Sequence, residues 1–403
     1  MIEALVREAK RRILSFMHLV GYKTEKGHVE GLLRNYDPAP VENKKPEKCE
    51  SIAFVITRMV RFHGGQTSVL RLGTELAKQG MKVYYLIYKP QSGQEMDYCA
   101  RENLAGYLGE CMQLEDYRKK VKKKQLNEAD FVCATSWDTV SFAKKLENSY
   151  KLYFVQDYEP YFYKFGEEFF MCRSTYFQGL HMISLGSWNR DMILKEAGTG
   201  KGLKIDVVDF PYEPKEYADQ TGFSRDYPAY RHKRKLTIAA YVKFYGKRLP
   251  AFIPYMLKNT AKKLKKRGIE LEVLYFGEAK TFKAPGGKNL GQLNRTELLE
   301  LYKKADFGLV ASMSNISLVP YEMHAAGLPV IEFADGTYTH FLPGDSAILT
   351  DIAQTDIAQK LYDAVRNPEK LQKMHDSAMS AMKDLSWENT GKQFYGIIQN
   401  QCN

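Results

Sequence analysis

Residues 51–88, SIAFVITRMVRFHGGQTSVLRLGTELAKQGMKVYYLIY, pass from an unbroken apolar stretch through a glycine turn into a helical period, then through Gly80 into a second apolar stretch. The first stretch, SIAFVIT, lacks the polar alternation of a strand with one wet face, so it reads as a strand buried on both sides. Between Gln66 and Gly80 apolar residues return every three or four positions, which gives one buried helix face ended by a glycine. KVYYLIY, at 82–88, reads as the next strand. Strand, glycine turn, helix and strand in this order form a βαβ unit, the building block of a parallel, doubly wound sheet.

The pattern continues in both directions. Apolar strands are predicted at 130–134, 152–155 and 182–185, with the first sheet ending near 204–211. Residues 212–235 carry turn formers and no clear period, which marks an interdomain segment. A second series follows: strand 236–242, helix 250–266, strand 271–276, glycine-containing loop 284–291, helix 295–303, strand 306–310, helix 319–326, strand 328–333 and helices from about 354. A chain of 403 residues exceeds one ordinary core. The expected fold class is therefore α/β, two Rossmann-like doubly wound domains facing each other across a cleft, with ligands at the carboxyl ends of the strands. The boundaries expected are 1–48 for an N-terminal helix and linker, 49–212 and 213–385 for the two domains, and 386–403 for a terminal helix.

Ahead of the first strand, Ile2, Leu5, Val6, Ala9, Ile13, Phe16, Met17 and Val20 recur at helical spacing, with Lys10, Arg11 and Arg12 largely on the other side. This predicts a basic amphipathic helix over 2–20 that either lies on anionic lipid or docks on the protein's own body. Proline-rich 38–50 reads as a linker. No apolar run reaches the eighteen or so residues that span a bilayer, and charges punctuate the start, so a cytoplasmic protein is expected. The six cysteines lack a C-x-x-C pair and are expected to be reduced packing residues, neither a zinc site nor a disulfide framework. A net charge of +11 favours an anionic partner; nucleic acid is disfavoured because no helix-turn-helix, zinc finger or RNA-recognition signature is present.

Three stretches could carry chemistry. Gly64 and Gly65 follow the first strand and precede a helix, where the backbone can approach a ligand; tight strand-to-helix turns use glycine anyway. AYVKFYGKRLPAF (240–252) sets Lys243, Lys247 and Arg248 beyond the first strand of the second domain, a placement that suits a diphosphate and equally describes three solvated bases. In SMSNISLVPYEMHAAGLPVIEF (312–333), Pro320 fits a first helical turn and Gly327 a helix end, which sets Glu322 in the first turn of a short helix. A carboxylate there can accept both ribose hydroxyls, or simply complement the helix dipole. The tyrosine-rich YFVQDYEPYFY (153–163) interleaves Gln156, Asp157 and Glu159 with rings. It reads as a lid over the core or as a platform on which rings stack against sugar C–H faces while the polar residues bind hydroxyls.

HGGQTSVLRLGTELAKQGMKV (63–83), LNRTELLELYKKADFGLVAS (293–312) and SLVPYEMHAAGLPVI (317–331) together resemble the GT-B glycosyltransferases of family 4, over nearly all of the chain after residue 50. YFVQDYEPYFY and TYFQGLHMISLGSWNRDMI (175–193) are similar to bacterial rhamnosyltransferases that use dTDP-L-rhamnose, the WsaF-like and rhamnan-synthesis group. The resemblance implies a last helix crossing back to the first domain, retention of anomeric configuration, and transfer of L-rhamnose from dTDP-β-L-rhamnose to a sugar hydroxyl of a lipid-linked surface polysaccharide precursor at the inner face of a bacterial membrane. Glu322 matches the ribose-binding second acid of a pair with seven residues between them; the first acid is replaced by Ser314. Lys243, Lys247, Arg248, Gly277, Ser317, Leu318 and Glu322 form the expected nucleotide-sugar site. Gly64, Gly65, Gln156, Asp157, Tyr158 and Glu159 form the acceptor side. Asp157, Lys247 and Arg248 are the catalytic candidates. No D-x-D or clustered histidine is present, so no metal or other cofactor is expected. A different hexosyltransferase, a nucleotide-sugar epimerase of the same fold, and a non-catalytic carbohydrate-binding protein are the alternatives.

Overall fold

The structure, a computed structural model, describes residues 2–197, 202–213, 217, 223–244, 246–281, 283–353 and 356–402, with the side chains of 2–9 and 197 left aside. Helix α1 (Ile2–Leu33) precedes the first sheet, whose strands are β1 (Ser51–Ile56), β2 (Lys82–Ile87), β3 (Glu110–Gln113), β4 (Phe131–Ala134), β5 (Tyr150–Val155), β6 (His181–Leu185) and β7 (Ile205–Val208). Their spatial order is β3-β2-β1-β4-β5-β6-β7, every pair parallel. The connecting helices are α2 (Gly64–Lys78), α3 (Gly93–Asn103), α4 (Leu114–Lys122), α5 (Trp137–Ala143), α6 (Glu167–Ser174) and α7 (Ser187–Ala197). The second sheet runs β10-β9-β8-β11-β12-β13, again all parallel. It is built from β8 (Lys235–Tyr241), β9 (Glu270–Phe276), β10 (Lys288–Asn289), β11 (Phe307–Leu309), β12 (Val330–Phe333) and β13 (Ala347–Thr350). Around it lie α8 (Phe252–Lys265), α9 (Arg295–Lys304), α10 (Leu318–Ala325), α11 (Ile357–Arg366) and α12 (Glu369–Met382), and the chain ends in α13 (Trp387–Gln399).

The opening stretch shows why the sheet is covered on both faces. Ile52, Phe54 and Ile56 of β1 pack into one apolar cluster, whereas Ala53 and Val55 pack into another on the opposite face. A strand that feeds two cores has no polar side, and the unbroken run SIAFVIT is the result. In α2, a Cβ at Gly73 would come 2.3 Å from the Tyr85 hydroxyl, so glycine lets a β2 tyrosine cross under the helix and donate to the Leu108 carbonyl. Strands β3, β10 and β13, absent from the sequence reading, lie at sheet edges, and β3 and β10 carry polar sequences (ECMQ and KN) in which no apolar period can be seen.

The final helix α13 lies on the first domain. Phe394 meets Phe154 of β5 edge-on at 5.9 Å, Thr390 donates to the Asp209 carbonyl at 3.0 Å, and a Cβ at Gly391 would approach Glu75 Cβ of α2 to 2.4 Å. Just beyond it, Cys402 is disulfide-bonded to Cys49, with Cα atoms 6.3 Å apart. This corrects the expectation of six reduced cysteines. The partners stand 353 residues apart and become neighbours only because α13 returns to the start of β1, a proximity that spacing along the chain cannot reveal.

At the other end, α1 continues to Leu33, well past the predicted residue 20. All side chains from Lys10 to His28 are exposed, including Ile13, Phe16, Met17 and Val20; those of Ile2, Leu5, Val6 and Ala9 lie outside the described ones. Among the described contacts, the helix meets the body through its last turns: His28 pairs with Glu168 at 3.0 Å, and Leu32 and Tyr36 join Trp137, Met171, Cys172 and Tyr163. Of the predicted apolar stripe, the described side chains Ile13, Phe16, Met17 and Val20 are therefore not docked on the first domain. Among the described residues no helix is long and apolar enough to cross a membrane.

Candidate active site

The carboxyl ends of the two sheets face each other, and the polar residues concentrated there belong to five segments. After β1, His63 caps α2, its Nδ1 accepting the Gln66 N–H at 3.3 Å. Glycine is not forced on the turn that follows: a Cβ at Gly64 would meet nothing within 4 Å, and one at Gly65 only His63 and Gln156 Oε1 at ordinary contact. His63 is exposed to solvent, though protein atoms crowd its ring. That crowding and the charge of Lys243 hold its pKa below the usual histidine range. Sequence reasoning named the two glycines and passed over this histidine, although its place directly before them at a strand's carboxyl end was the available signal.

After β5, the chain divides its polar residues between cleft and core. Asp157 is nearly buried, and its carboxylate collects four donors: Oδ1 accepts the N–H groups of Tyr158 (2.8 Å) and Asn315 (3.0 Å), and Oδ2 accepts the Ser314 hydroxyl (3.0 Å) and the Lys247 ammonium. Gln156 contributes its carbonyl to the Asn315 amide at 2.8 Å. The other two acceptor candidates turn inward. The Glu159 carboxylate takes the Trp137 N–H (3.0 Å) and the Tyr153 hydroxyl (2.6 Å) inside the first domain, and burial pushes its pKa up to about 8. Tyr158 is fully buried against Tyr176 and Tyr161. Both are corrected from acceptor contacts to core residues. With Tyr153 and Phe154 buried within β5, most of the tyrosine-rich stretch belongs to the core of the first domain, while Phe162 remains at the cleft with Lys247 Nζ 3.8 Å from its ring centre.

From the second domain, the loop after β8 brings in the three bases, and each is placed differently. Lys243 is half-buried, its pKa lowered by burial and by Arg248, against the opposing charge of Glu278. Lys247 is held by Asp157; burial lowers its pKa more than the carboxylate raises it. Arg248 is buried, one Nη donating to the Ala311 carbonyl at 2.7 Å, and it lies near Glu332. Glu332, unremarked in the sequence, is a fully buried carboxylate that accepts the Ser312 N–H (3.1 Å) and hydroxyl (2.6 Å). Burial pushes its pKa up to about 7, opposed by those bonds and by Arg248. Gly277 ends β9 at φ +101°, a left-handed turn in which a Cβ would also strike the Tyr241 ring at 2.6 Å.

Helix α10 closes the site. It begins at Leu318 with Ser317 as N-cap, so Pro320 does sit in its first turn, but Glu322 is the fifth helical residue and opens the second turn. Its Oε2 lies 3.4 Å from the Tyr302 hydroxyl. Ser317 caps by backbone alone; its buried hydroxyl meets no hydrogen-bond partner among the described residues, and the N–H groups of the first turn remain the helix's positive end. The first domain thus offers a carboxylate, Asp157, and the second offers cations, carboxylates and a helix N-terminus to a shared cleft. Among the described residues no group of three His, Cys, Asp or Glu is arranged to hold a metal ion.

No protein-family model matches the sequence, and no curated protein resembles it closely enough to count. Solved structures do match by shape. Sucrose-phosphate synthase from Thermosynechococcus elongatus aligns at TM-score 0.64 and 13% identity, over 87% of this chain and 98% of that one. HepE from Anabaena, solved with UDP and glucose, aligns at 0.66 and 10%, over 87% and 100%. WaaG, a glycosyltransferase involved in lipopolysaccharide biosynthesis, aligns at 0.58 and 15%, over 86% and 99%. At such identities the likeness concerns the path of the backbone, and it shows that this chain has the two-domain GT-B glycosyltransferase fold along nearly its whole length.

Proposed function

We propose that the protein is a nucleotide-sugar-dependent glycosyltransferase, and more narrowly that it transfers L-rhamnose from dTDP-β-L-rhamnose, with retention, to a sugar hydroxyl of a lipid-linked polysaccharide precursor. The observation that carries the reading is the convergence of Lys243, Lys247, Arg248 and the N-terminus of α10 at the carboxyl end of the second sheet, in a fold whose relative HepE was solved with UDP and glucose. Cations and helix N–H groups suit a diphosphate. As the bond from the sugar to the diphosphate breaks, negative charge grows on the leaving oxygens, and fixed cations favour that state most. Glu322 would accept the ribose hydroxyls. His63, Gln156 and Asp157 would face the reacting sugar and its acceptor, with Gly64 and Gly65 leaving room above the turn. The rhamnose assignment is supported by the resemblance of residues 153–163 and 175–193. The exposed basic helix α1 supports work at the inner membrane face, where each nearby Lys or Arg contributes about 1 kcal/mol of attraction to anionic lipid.

The test is calorimetry with dTDP, UDP and GDP, followed by product analysis with and without a soluble acceptor. Preference for dTDP and a glycosylated acceptor are expected; a changed nucleotide sugar without acceptor would make the protein an epimerase. Glu322→Ala is expected to weaken dTDP binding by about 1.5–3 kcal/mol, the range for hydrogen bonds to a charged group. Unchanged affinity in a folded variant removes Glu322 from the site.

A further inference from the structure

The Asp157 carboxylate belongs to the first domain, yet three of its four donors, the Asn315 N–H, the Ser314 hydroxyl and the Lys247 ammonium, belong to the second. Asn315 returns the contact, its amide donating to the Gln156 carbonyl at 2.8 Å and the Leu185 carbonyl at 2.9 Å. The segment that receives Asp157 is braced from behind. Glu332 holds Ser312; the Thr337 N–H and hydroxyl bind the Ser312 carbonyl at 2.7 and 3.1 Å, and the same hydroxyl also binds the Ser314 carbonyl. At Gly336 a Cβ would come 2.4 Å from the Ser312 oxygen, so even the backbone behind the turn is close-packed.

From this arrangement we infer that Ser314 and Asn315 form a carboxylate receptor that positions Asp157 across the cleft, and that Asp157 occupies Lys247 until a donor diphosphate takes the lysine over. The inference rests on the nucleotide-sugar reading above. Its direction follows from what each partner would lose. Without Lys247, Asp157 still has two backbone N–H groups and a hydroxyl, so its oxygens stay satisfied. Lys247, whose side chain is only 15% exposed, has besides Asp157 the face of the Phe162 ring, which carries no full charge, and so it must keep an anion close. A diphosphate carries more negative charge than one carboxylate and can replace it. The lysine therefore changes partner while Asp157 remains in place, a fixed carboxylate contributed by one domain beside a sugar held by the other.

The handover gives binding and turnover opposite signs. In Asp157→Asn, which removes the competing charge at nearly constant shape, dTDP measured by calorimetry at low salt is expected to bind about tenfold tighter, within the coupling range of close charge pairs. Turnover at saturating donor should fall at least as much. Asp157→Ala must tighten dTDP binding as well, which keeps the test available if the asparagine variant does not fold. The gain must vanish in the double variant Asp157→Asn with Lys247→Met. Ser314→Ala should lower kcat several-fold with dTDP affinity unchanged within about twofold, whereas a merely structural hydroxyl would lower only the melting temperature. Equal or weaker dTDP binding by both Asp157 variants overturns the handover alone. If the wild-type protein binds none of dTDP, UDP and GDP, the nucleotide-sugar reading fails and takes the handover with it.

Discussion

The first and last helices carry comparable apolar patterns and meet opposite fates. In α13, Trp387, Phe394 and Ile398 are buried against the first domain. In α1, Ile13, Leu14, Phe16, Met17, Leu19, Val20 and Tyr22 stand between 46% and 66% exposed. The difference lies in what each helix finds. Helix α13 brings Gly391 to the Glu75 side chain of α2 and Phe394 to the Phe154 ring. Among its described side chains, helix α1 touches the body at His28 and near Leu32 and Tyr36. An apolar period thus states that a face will be covered; it does not state by what.

The sharpest way to break the comparison is to remove one docked ring. Phe394→Ala should destabilise the protein by about 3–5 kcal/mol, the range for emptying a large aromatic site, as read from urea unfolding. A loss below about 1 kcal/mol would place α13 with α1 as an appendage.

The landing site of α1 can be weakened by pH. Glu159 lies beside Trp137 there, with a pKa raised to about 8, and Glu332 in the other domain is raised to about 7, against 4.5 for an ordinary glutamate. A raised carboxyl pKa means that the folded state binds more protons than the unfolded one between those values, so these two groups lower stability as pH climbs from about 4.5 to 8. His63, His181, His324 and His375, which desolvation by the surrounding protein holds below the usual 6.5, act in the opposite direction up to that pH and no further. Melting temperature should therefore decline from pH 6.5 to 8, and Glu159→Gln should flatten that decline; a melting temperature that rises over the same interval would contradict the Glu159 assignment.

The smallest effect on stability is expected from removing residues 1–27, which leaves His28, Leu32 and Tyr36 in place. Melting temperature should shift by less than about 2 °C, because the described side chains that are lost, those of 10–27, are all exposed. Sedimentation with anionic vesicles should fall, and the rate on a vesicle-bound acceptor should drop selectively against a soluble analogue. A large fall in melting temperature would show that α1 is held by the body after all.

The fold was legible because a fully buried parallel strand cannot hide: SIAFVIT, KVYYLIY and LTIAAYV have no polar side to confuse the reading. The edge strands escaped because ECMQ and KN carry none of that signal. At the site, the lysines and Arg248 beyond β8 could be placed from the strand that precedes them, since position along a βα unit fixes which end of the sheet a residue occupies. Orientation could not. Asp157 and Glu159 are two residues apart in one loop, yet one carboxylate meets Ser314 across the cleft and the other meets Trp137 inside the domain. That choice depends on neighbours contributed by distant segments. Glu332 shows the same limit: a glutamate within an apolar strand gives no hint that Ser312 and Arg248 await it.

The Cys49–Cys402 bond changes the topology of the molecule. Between these two residues the covalent chain is a ring, and α1 with its linker is a tail attached to it. One peptide bond cut anywhere in the ring, including the segment between the sheets, opens it without releasing a fragment. The two domains stay a single molecule after such a nick, and they separate only if the sulfur bridge is reduced as well.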